Sequence, residues 1–143
     1  MSAVDQIRED VRAAMKDRDR RLASALRMIQ DVLQQDAKLG NDDEIAALQR
    51  ERKKRMEAAD AFADAGRYEQ AEAERFEAEL ITAYLPAQLS DDELNTLVKE
   101  AIEATGATEQ KQMGQVMGAL KDKVAGRADG KRVSTAVREQ LAS

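Results

Sequence analysis

The chain has 143 residues and contains no cysteine, no histidine, no tryptophan and only one proline. Without cysteine it has no disulfide framework, no thiol nucleophile and no thiolate zinc site. Without histidine it lacks the commonest general base and metal ligand, so a Ser-His-Asp triad is excluded. Neither of the common glycine-rich phosphate-binding motifs is present. We therefore predict no catalytic residue, no metal ion and no cofactor.

The abundant residues predict an all-α fold. Alanine occurs 26 times, which leaves 35 larger apolar residues, among them only two phenylalanines and two tyrosines. Alanine, glutamate, arginine and leucine are strong helix formers, whereas strands favour β-branched and aromatic residues. The length is sufficient for one domain or two small ones.

Charge is unevenly distributed along the chain. The net charge is −5, which argues against a generic polyanion binder, because such domains are usually basic. Residues 1–85 carry 15 basic and 19 acidic groups, whereas residues 111–143 carry seven basic and three acidic groups. The sequence therefore predicts a basic C-terminal module behind an acidic body.

Two features of the sequence bear on its cellular location. Residues 1–10 are acidic and lack the apolar centre of a signal peptide. No apolar stretch approaches the roughly 18 residues of a membrane span. We expect a cytoplasmic protein without a membrane partner.

Apolar residues recur three and four positions apart along most of the chain, which is the spacing of one helix face. The pattern predicts seven helices. The apolar stripes span residues 4–15, 22–33, 45–62, 76–83, 94–102, 113–124 and 133–141.

A domain boundary is expected where the fourth helix ends. Pro86 disfavours helical geometry at Leu85, and residues 90–93 (Ser-Asp-Asp-Glu) form a capping box that begins the next helix. We predict an N-terminal helical domain over residues 1–88 and a small three-helix domain over residues 89–143.

The third and fourth helices, at about residues 42–65 and 68–84, form a long predicted hairpin with a thin apolar stripe. Asn41 or Asp42 is expected to cap its first helix. Only four large apolar residues occur between positions 49 and 79, so much of the hairpin should be solvated or docked to a partner.

The charged residues of this hairpin leave more than one interpretation open. The run of residues 50–55 is either a solvated face or an anion site, and Glu51 and Arg55 have the spacing of a helical ion pair. The glutamates of the fourth helix form a solvated acidic face, which pairing with the basic third helix would neutralise. A weak Mg²⁺ site is the less favoured alternative.

Two glycines in the sixth helix need an explanation. Gly114 and Gly118 lie four residues apart on one face, and a glycine inside a helix costs about 1 kcal/mol relative to alanine. Close approach of another backbone would offset this cost. That backbone is either a neighbouring helix or a bound phosphate chain.

The turn before the last helix is the second candidate for anion binding. Gly126 and Gly130 bracket this turn, and Asp129 or Gly130 should cap the helix. A helix N-terminus beside Lys131 and Arg132 could bind a phosphate. The two residues could equally be ordinary surface charge.

Several segments, taken in order along nearly the whole chain, resemble the stand-alone YqeY type of the GatB/YqeY family. The sequence departs from the family pattern at residues 68–70, where an acidic residue and then leucine are usual. The matching segments are Leu26-Arg27-Met28-Ile29, Phe62-x-x-x-Gly66-Arg67, Glu74-x-x-Glu77, Tyr84-Leu85-Pro86-x-Gln88-Leu89-Ser90, Gly106-Ala107, Met113-Gly114-x-Val116-Met117 and Gly126-Arg127-Ala128-Asp129-Gly130.

The resemblance implies a helical N-terminal region and a three-helix domain similar to the tail of GatB, a subunit of tRNA-dependent amidotransferase. In GatB the tail helps to hold tRNA, and a separate large domain carries the chemistry. The family's carbon–nitrogen ligase label, with glutamine as the amide donor, is therefore implied by resemblance alone.

Three functions follow as hypotheses. The first is a non-catalytic accessory module that contacts tRNA by shape and phosphate, and the second is a protein-interaction module that docks its hairpin onto an amidotransferase or another protein. The third is glutamine-dependent ligase activity. The sequence does not fix an oligomeric state. The candidate tRNA or phosphate contacts are Gly114, Gly118, Lys121, Lys123, Gly126, Arg127, Lys131 and Arg132.

Overall fold

The computed structural model describes residues 2–41 and 43–142, and every regular element in these ranges is a helix. The all-α prediction is confirmed. The chain divides into two compact units, one ending at Leu85 and the other beginning at Pro86.

The first unit contains four helices, α1 (Ala3–Lys16), α2 (Arg20–Lys38), α3 (Glu44–Asp64) and α4 (Tyr68–Thr82). Its apolar core is built from the inward faces of α1 and α2 together with the open end of the α3–α4 hairpin. The buried core residues are Ile7, Val11, Ala14, Ala23, Leu26, Ile29, Leu33, Ala47, Leu48 and Ile81.

Carboxylates of two neighbouring residues bind the N-termini of α3 and α1. Asp43 caps α3 by accepting a hydrogen bond from the backbone N–H of Ala46, so Asn41 is not the cap, and Asp42 lies outside the described residues. The neighbouring Glu44 carboxylate accepts hydrogen bonds of 3.1 and 3.0 Å from the N–H groups of Ala3 and Val4. One carboxylate thereby stabilises the positive N-terminus of α1 from another helix.

The α3–α4 hairpin is packed through alanine. Ala59, Ala71 and Ala78 are fully or almost fully buried, although they do not belong to the apolar core of the unit. Ile45 and Met56, two apolar residues within the predicted stripe of α3, are 41% and 37% exposed. Small side chains let the two helix backbones approach closely, and this leaves no space for a larger apolar stripe.

A charged cluster takes the place of that stripe. Glu51 is only 9% exposed, and Arg55 joins it at 2.9 Å while reaching across to Glu74 at 3.4 Å and Glu77 at 2.6 Å. The predicted Glu51–Arg55 pair is present. Arg55 therefore belongs neither to a solvated face nor to an anion site, because it pairs inward with both helices.

Burial is the largest influence on the pKa of Glu77. Desolvation raises the pKa of Glu77, and the attraction of Arg55 only partly opposes this effect, while the charges of Glu74 and Glu51 add to it. Three carboxylates share a single guanidinium, so the ionised form of Glu77 is less favoured in the folded chain than in water.

A further contact ties the hairpin to α2. The Arg21 guanidinium lies 3.0 and 2.8 Å from the two carboxylate oxygens of Glu72 and 4.1 Å from the centre of the Phe76 ring. The Arg21 guanidinium thus contacts both a carboxylate and an aromatic face of α4.

The second unit contains α5 (Asp91–Thr105), a 3₁₀ turn (Gln110–Gln112), α6 (Met113–Val124) and α7 (Gly130–Ala142). The predicted capping box is confirmed at the start of α5, where the Ser90 and Glu93 side chains and backbones bond reciprocally. The three helices enclose a separate core. It consists of Leu89, Leu94, Val98, Ala101, Ala107, Val116, Leu120, Val124, Ala128, Val133, Ala136 and Val137.

The pH dependence of stability tests the charged cluster through the substitution Glu77→Gln. A carboxyl whose pKa is raised on folding stabilises the folded state below its ordinary pKa of 4.5, and this contribution is lost as the pH rises through the raised value. The neutral amide avoids this loss. The variant should therefore gain stability relative to the natural chain between about pH 4 and about pH 7. Urea unfolding followed by circular dichroism measures the change.

The difference in stability between the variant and the natural chain is compared at two pH values, so any constant cost of replacing the side chain cancels. Glu57→Gln is the matched control, since Glu57 is exposed on α3, the other helix of the hairpin. The same gain in both variants would show that burial of Glu77 does not cause the effect.

Candidate functional site

The predicted turn at residues 126–130 is bonded to the segment that precedes α5. The Gln88 amide donates to the carbonyl of Gly126 at 2.8 Å, and the Leu89 N–H donates to the carbonyl of Arg127 at 2.9 Å. The Arg127 guanidinium donates in return to the carbonyl of Ala87 at 3.1 Å. Two segments about 40 residues apart in sequence thus satisfy each other's backbone groups.

Arg132 belongs to the same contact. Its guanidinium donates to the carbonyl of Leu89 at 3.0 Å and to the Asp91 carboxylate at 2.9 Å. Of the predicted phosphate contacts, Arg127 and Arg132 therefore hold the fold of this unit together. They would have to leave these partners, or share them, to bind a phosphate.

The N-terminus of α7 is already occupied by a carboxylate. Asp129 accepts a hydrogen bond of 2.8 Å from the backbone N–H of Arg132, as one of the two predicted capping alternatives required. Its negative charge lies where a phosphate was expected, and it satisfies one of the free amides that would hold that phosphate. The helix end alone is therefore a poor anion seat.

Three lysines among the predicted contacts have no ion-pair partner within the described part of the chain. Lys121, Lys123 and Lys131 are exposed, and in the described part of the chain none of them forms an ion pair. Lys121 and Lys123 lie in the last turn of α6, and Lys131 lies in the first turn of α7. Because no carboxylate holds these ammonium groups, they are available to an external anion without the loss of an internal contact.

The two glycines of α6 face open space. Gly114 and Gly118 are exposed, and a Cβ placed on either would meet no other atom within 4 Å. The interpretation that a neighbouring helix of this chain approaches them is therefore wrong. Lys121 follows at helical spacing on the same face, so a bare strip of helix backbone ends in a free cation.

Gly126 has a different role. It is buried and has a φ of 74°, in the left-handed region that other residues adopt only at a cost. Its carbonyl receives the Gln88 amide, as described above. The glycine shapes the turn, and it is not exposed to a ligand.

Acidic residues limit the basic surface to part of the unit. Residues 86–143 carry eight basic and nine acidic groups, and six of the acidic groups fall within residues 91–109. The positive charge predicted for the C-terminal module is therefore confined to α6 and α7. A polyanion would be attracted to those two helices and repelled from α5.

Sequence reasoning missed the carboxylate partners of the turn. The sequence predicts residues 90–93 only as the capping segment of α5, but Asp91 also forms an ion pair with Arg132. A basic residue close behind a glycine-rich turn was the available signal. It could not identify a partner 41 positions earlier.

Within residues 2–41 and 43–142, no group of three or more acidic side chains is arranged to hold a metal ion. No helix in the same ranges combines the length and the apolar character needed to cross a membrane.

The fold and the site define an all-helical protein whose small C-terminal unit carries a basic strip on α6. Comparison with known families places it further. The family model described as "Yqey-like protein" matches residues 4–141, so the chain belongs to this family. It is thus a module related to the GatB tail and to amidotransferases. No curated protein matches the chain.

The open space around α6 predicts a stabilising substitution. Gly118→Ala should raise the stability of the second unit by about 0.5–1 kcal/mol, because alanine favours the helix and meets no neighbour. Thermal unfolding followed by circular dichroism should show an increase of a few degrees in Tm.

Gly106→Ala serves as the contrasting control. Gly106 ends α5 with a φ of 70°, so the same change there should lower stability. A loss of stability in Gly118→Ala would show that α6 does approach other backbone.

Proposed function

We propose that this chain is a non-catalytic accessory module related to tRNA-dependent amidotransferase, and that its C-terminal unit contacts tRNA by shape and phosphate. The observation that carries the proposal is the strip of Gly114, Gly118 and Lys121, which lies exposed along one face of α6. The choice of tRNA as the ligand rests on the resemblance to the GatB tail, which helps to hold tRNA.

The strip suits a phosphate backbone for steric and electrostatic reasons. Without Cβ atoms at positions 114 and 118, a sugar–phosphate chain can lie closer to the helix than most side chains permit. Lys121 then meets it at the end of the strip, whereas Lys123 and Lys131 add positive charge elsewhere on α6 and on α7. Helical glycine costs stability, and a bound backbone is one way of offsetting that cost.

Aromatic residues constrain how RNA is recognised. Phe62, Tyr68, Phe76 and Tyr84 all precede Pro86, so the C-terminal unit has no ring on which a base can stack. Base stacking on aromatic side chains is the common means of reading single-stranded RNA. Contact through phosphate and helix shape is the alternative, and its affinity depends steeply on salt.

Charge reversal on α6 tests the proposal. The variant Lys121→Glu/Lys123→Glu should bind tRNA about tenfold more weakly at low salt, and the salt dependence should lose about one unit of slope for each contact removed. Fluorescence anisotropy with labelled tRNA measures both quantities. Gly118→Ala should weaken binding as well, although it stabilises the helix.

Lys99→Glu makes the same charge change as Lys121→Glu alone, at an exposed position on α5, and it should weaken binding less than Lys121→Glu does. The lysines are preferred to Arg132 because that residue also supports the fold. Absence of tRNA binding at low salt, or equal losses in the α5 and α6 variants, would refute the proposal.

The hairpin offers a second candidate function, which is docking to a protein. Tyr68 at the start of α4 is 70% exposed, and Met56 on α3 is partly exposed, so apolar groups near the hairpin turn face solvent. An exposed apolar group can be covered at a protein interface, where tyrosine and methionine are enriched. The partner expected from the family resemblance is an amidotransferase.

Binding of the full chain to purified amidotransferase without tRNA tests this candidate. Tyr68→Ser should weaken the complex by about tenfold, because buried tyrosines often dominate interface energy. Met28→Ser removes a comparable exposed apolar group from α2 and should have little effect. No complex in calorimetry, or equal effects of the two variants, would count against docking through the hairpin.

A further inference from the structure

A pocket in the first unit lies outside everything assigned so far. It is found where α1 ends and α2 begins, and the hydrophobic core does not account for its polar side chains. Leu26 and Ile29 of α2 are buried in that core, but Arg27 between them points outward. The pocket is lined by Met15, Arg18, Asp19, Arg20, Ala23, Ser24 and Arg27.

Three arginines in this lining have no carboxylate partner. Arg18, Arg20 and Arg27 are exposed, and none of them forms an ion pair with a residue in the described ranges. The only polar contact that Arg27 makes within the described part of the chain is with the Met15 sulfur, 2.9 Å from its Nη2. Elsewhere in the unit, Arg21, Arg50 and Arg55 each hold a carboxylate.

The single carboxylate of the lining is already engaged. Asp19 accepts a hydrogen bond of 3.1 Å from the N–H of Leu22 and caps α2. The charge of the pocket is therefore three positive against one negative. Because Asp19 occupies the helix end, the attraction for an anion comes from the guanidinium groups and not from the helix dipole.

The number of donors distinguishes between possible anions. One arginine fork saturates the two oxygens of a carboxylate. Three guanidinium groups and the Ser24 hydroxyl offer more hydrogen-bond donors than one carboxylate can accept. They suit the several oxygens that a phosphate group exposes. The methyl and methylene groups of Met15 and Ala23 provide an apolar wall beside the charge.

We propose that the pocket formed by Arg18, Arg20, Arg27 and Ser24 binds a phosphate group. The phosphate comes either from the backbone of an RNA or from a small phosphate ester such as a mononucleotide. The site is in the first unit and does not depend on the tRNA contact proposed for α6.

Titration of the full chain with inorganic phosphate and with adenosine monophosphate tests the pocket. In ¹⁵N-labelled protein, the chemical shifts that move should belong to residues 15–27, including the Arg27 side-chain N–H. Arg27→Gln should weaken binding about fivefold. The affinity of Arg27→Lys should lie between those of the natural chain and Arg27→Gln, because lysine keeps the charge but lacks the planar guanidinium.

Arg75→Gln is the matched control, since Arg75 is exposed on α4 and does not line the pocket. Circular dichroism checks that each variant is folded. The proposal is overturned if neither phosphate compound shifts these resonances, or if Arg75→Gln weakens binding as much as Arg27→Gln. Tighter binding of a glutamate-rich peptide than of phosphate would also overturn it.

A separate arm with tRNA identifies the source of the phosphate. If Arg27→Gln weakens both tRNA and mononucleotide binding, the pocket holds the RNA backbone, and if it weakens only the mononucleotide, the ligand is a small phosphate ester. Lys121→Glu/Lys123→Glu should leave mononucleotide binding unchanged. Failure of the pocket and failure of the α6 contact can therefore be told apart.

Discussion

Large apolar side chains are scarce in this chain, and the way they are distributed constrains every helix. Of the 35 that it contains, only four lie between residues 49 and 79, and the others precede or follow that stretch. They form two separate apolar cores, one in each compact unit. The α3–α4 hairpin receives apolar contacts at its open end, so its remaining length requires another means of association.

Alanine and buried charge together provide that means. Ala59, Ala71 and Ala78 allow close approach, but alanine contacts are similar to one another and specify little about how one helix is placed along the other. Arg55 contacts carboxylates from both helices, and those contacts fit a single alignment. We infer that the cluster sets the register of the hairpin at some cost in stability, as buried polar groups do in coiled coils. The raised pKa of Glu77, which burial causes, is one sign of this cost.

The sequence predicted the features that depend on neighbouring residues. The helix periods and the capping box at Ser90 follow from local chemistry, and the structure shows both of them. The inward face of α3 was not predictable in this way. Ile45 is more hydrophobic than Glu51, but Arg55 holds carboxylates of both helices in one cluster, so Glu51 is buried there while Ile45 is exposed. In the candidate site, the positions of Lys121 and Gly118 on one helix were readable, whereas the bonds of Arg127 and Arg132 required contacts across 40 or more residues.

The same distinction separates structural cations from those available for binding. A guanidinium that already satisfies backbone carbonyls, such as those of Arg127 and Arg132, must give up or share those bonds before it can hold an external anion. A cation without a partner loses only hydration and side-chain freedom. The lysines of α6 and the three arginines of the pocket at the junction of α1 and α2 are of this second kind. Charge counts along the sequence group both kinds together. The basic residues of residues 111–143 therefore overstate the surface that RNA can use, whereas the net acidity of residues 1–85 conceals a cationic pocket.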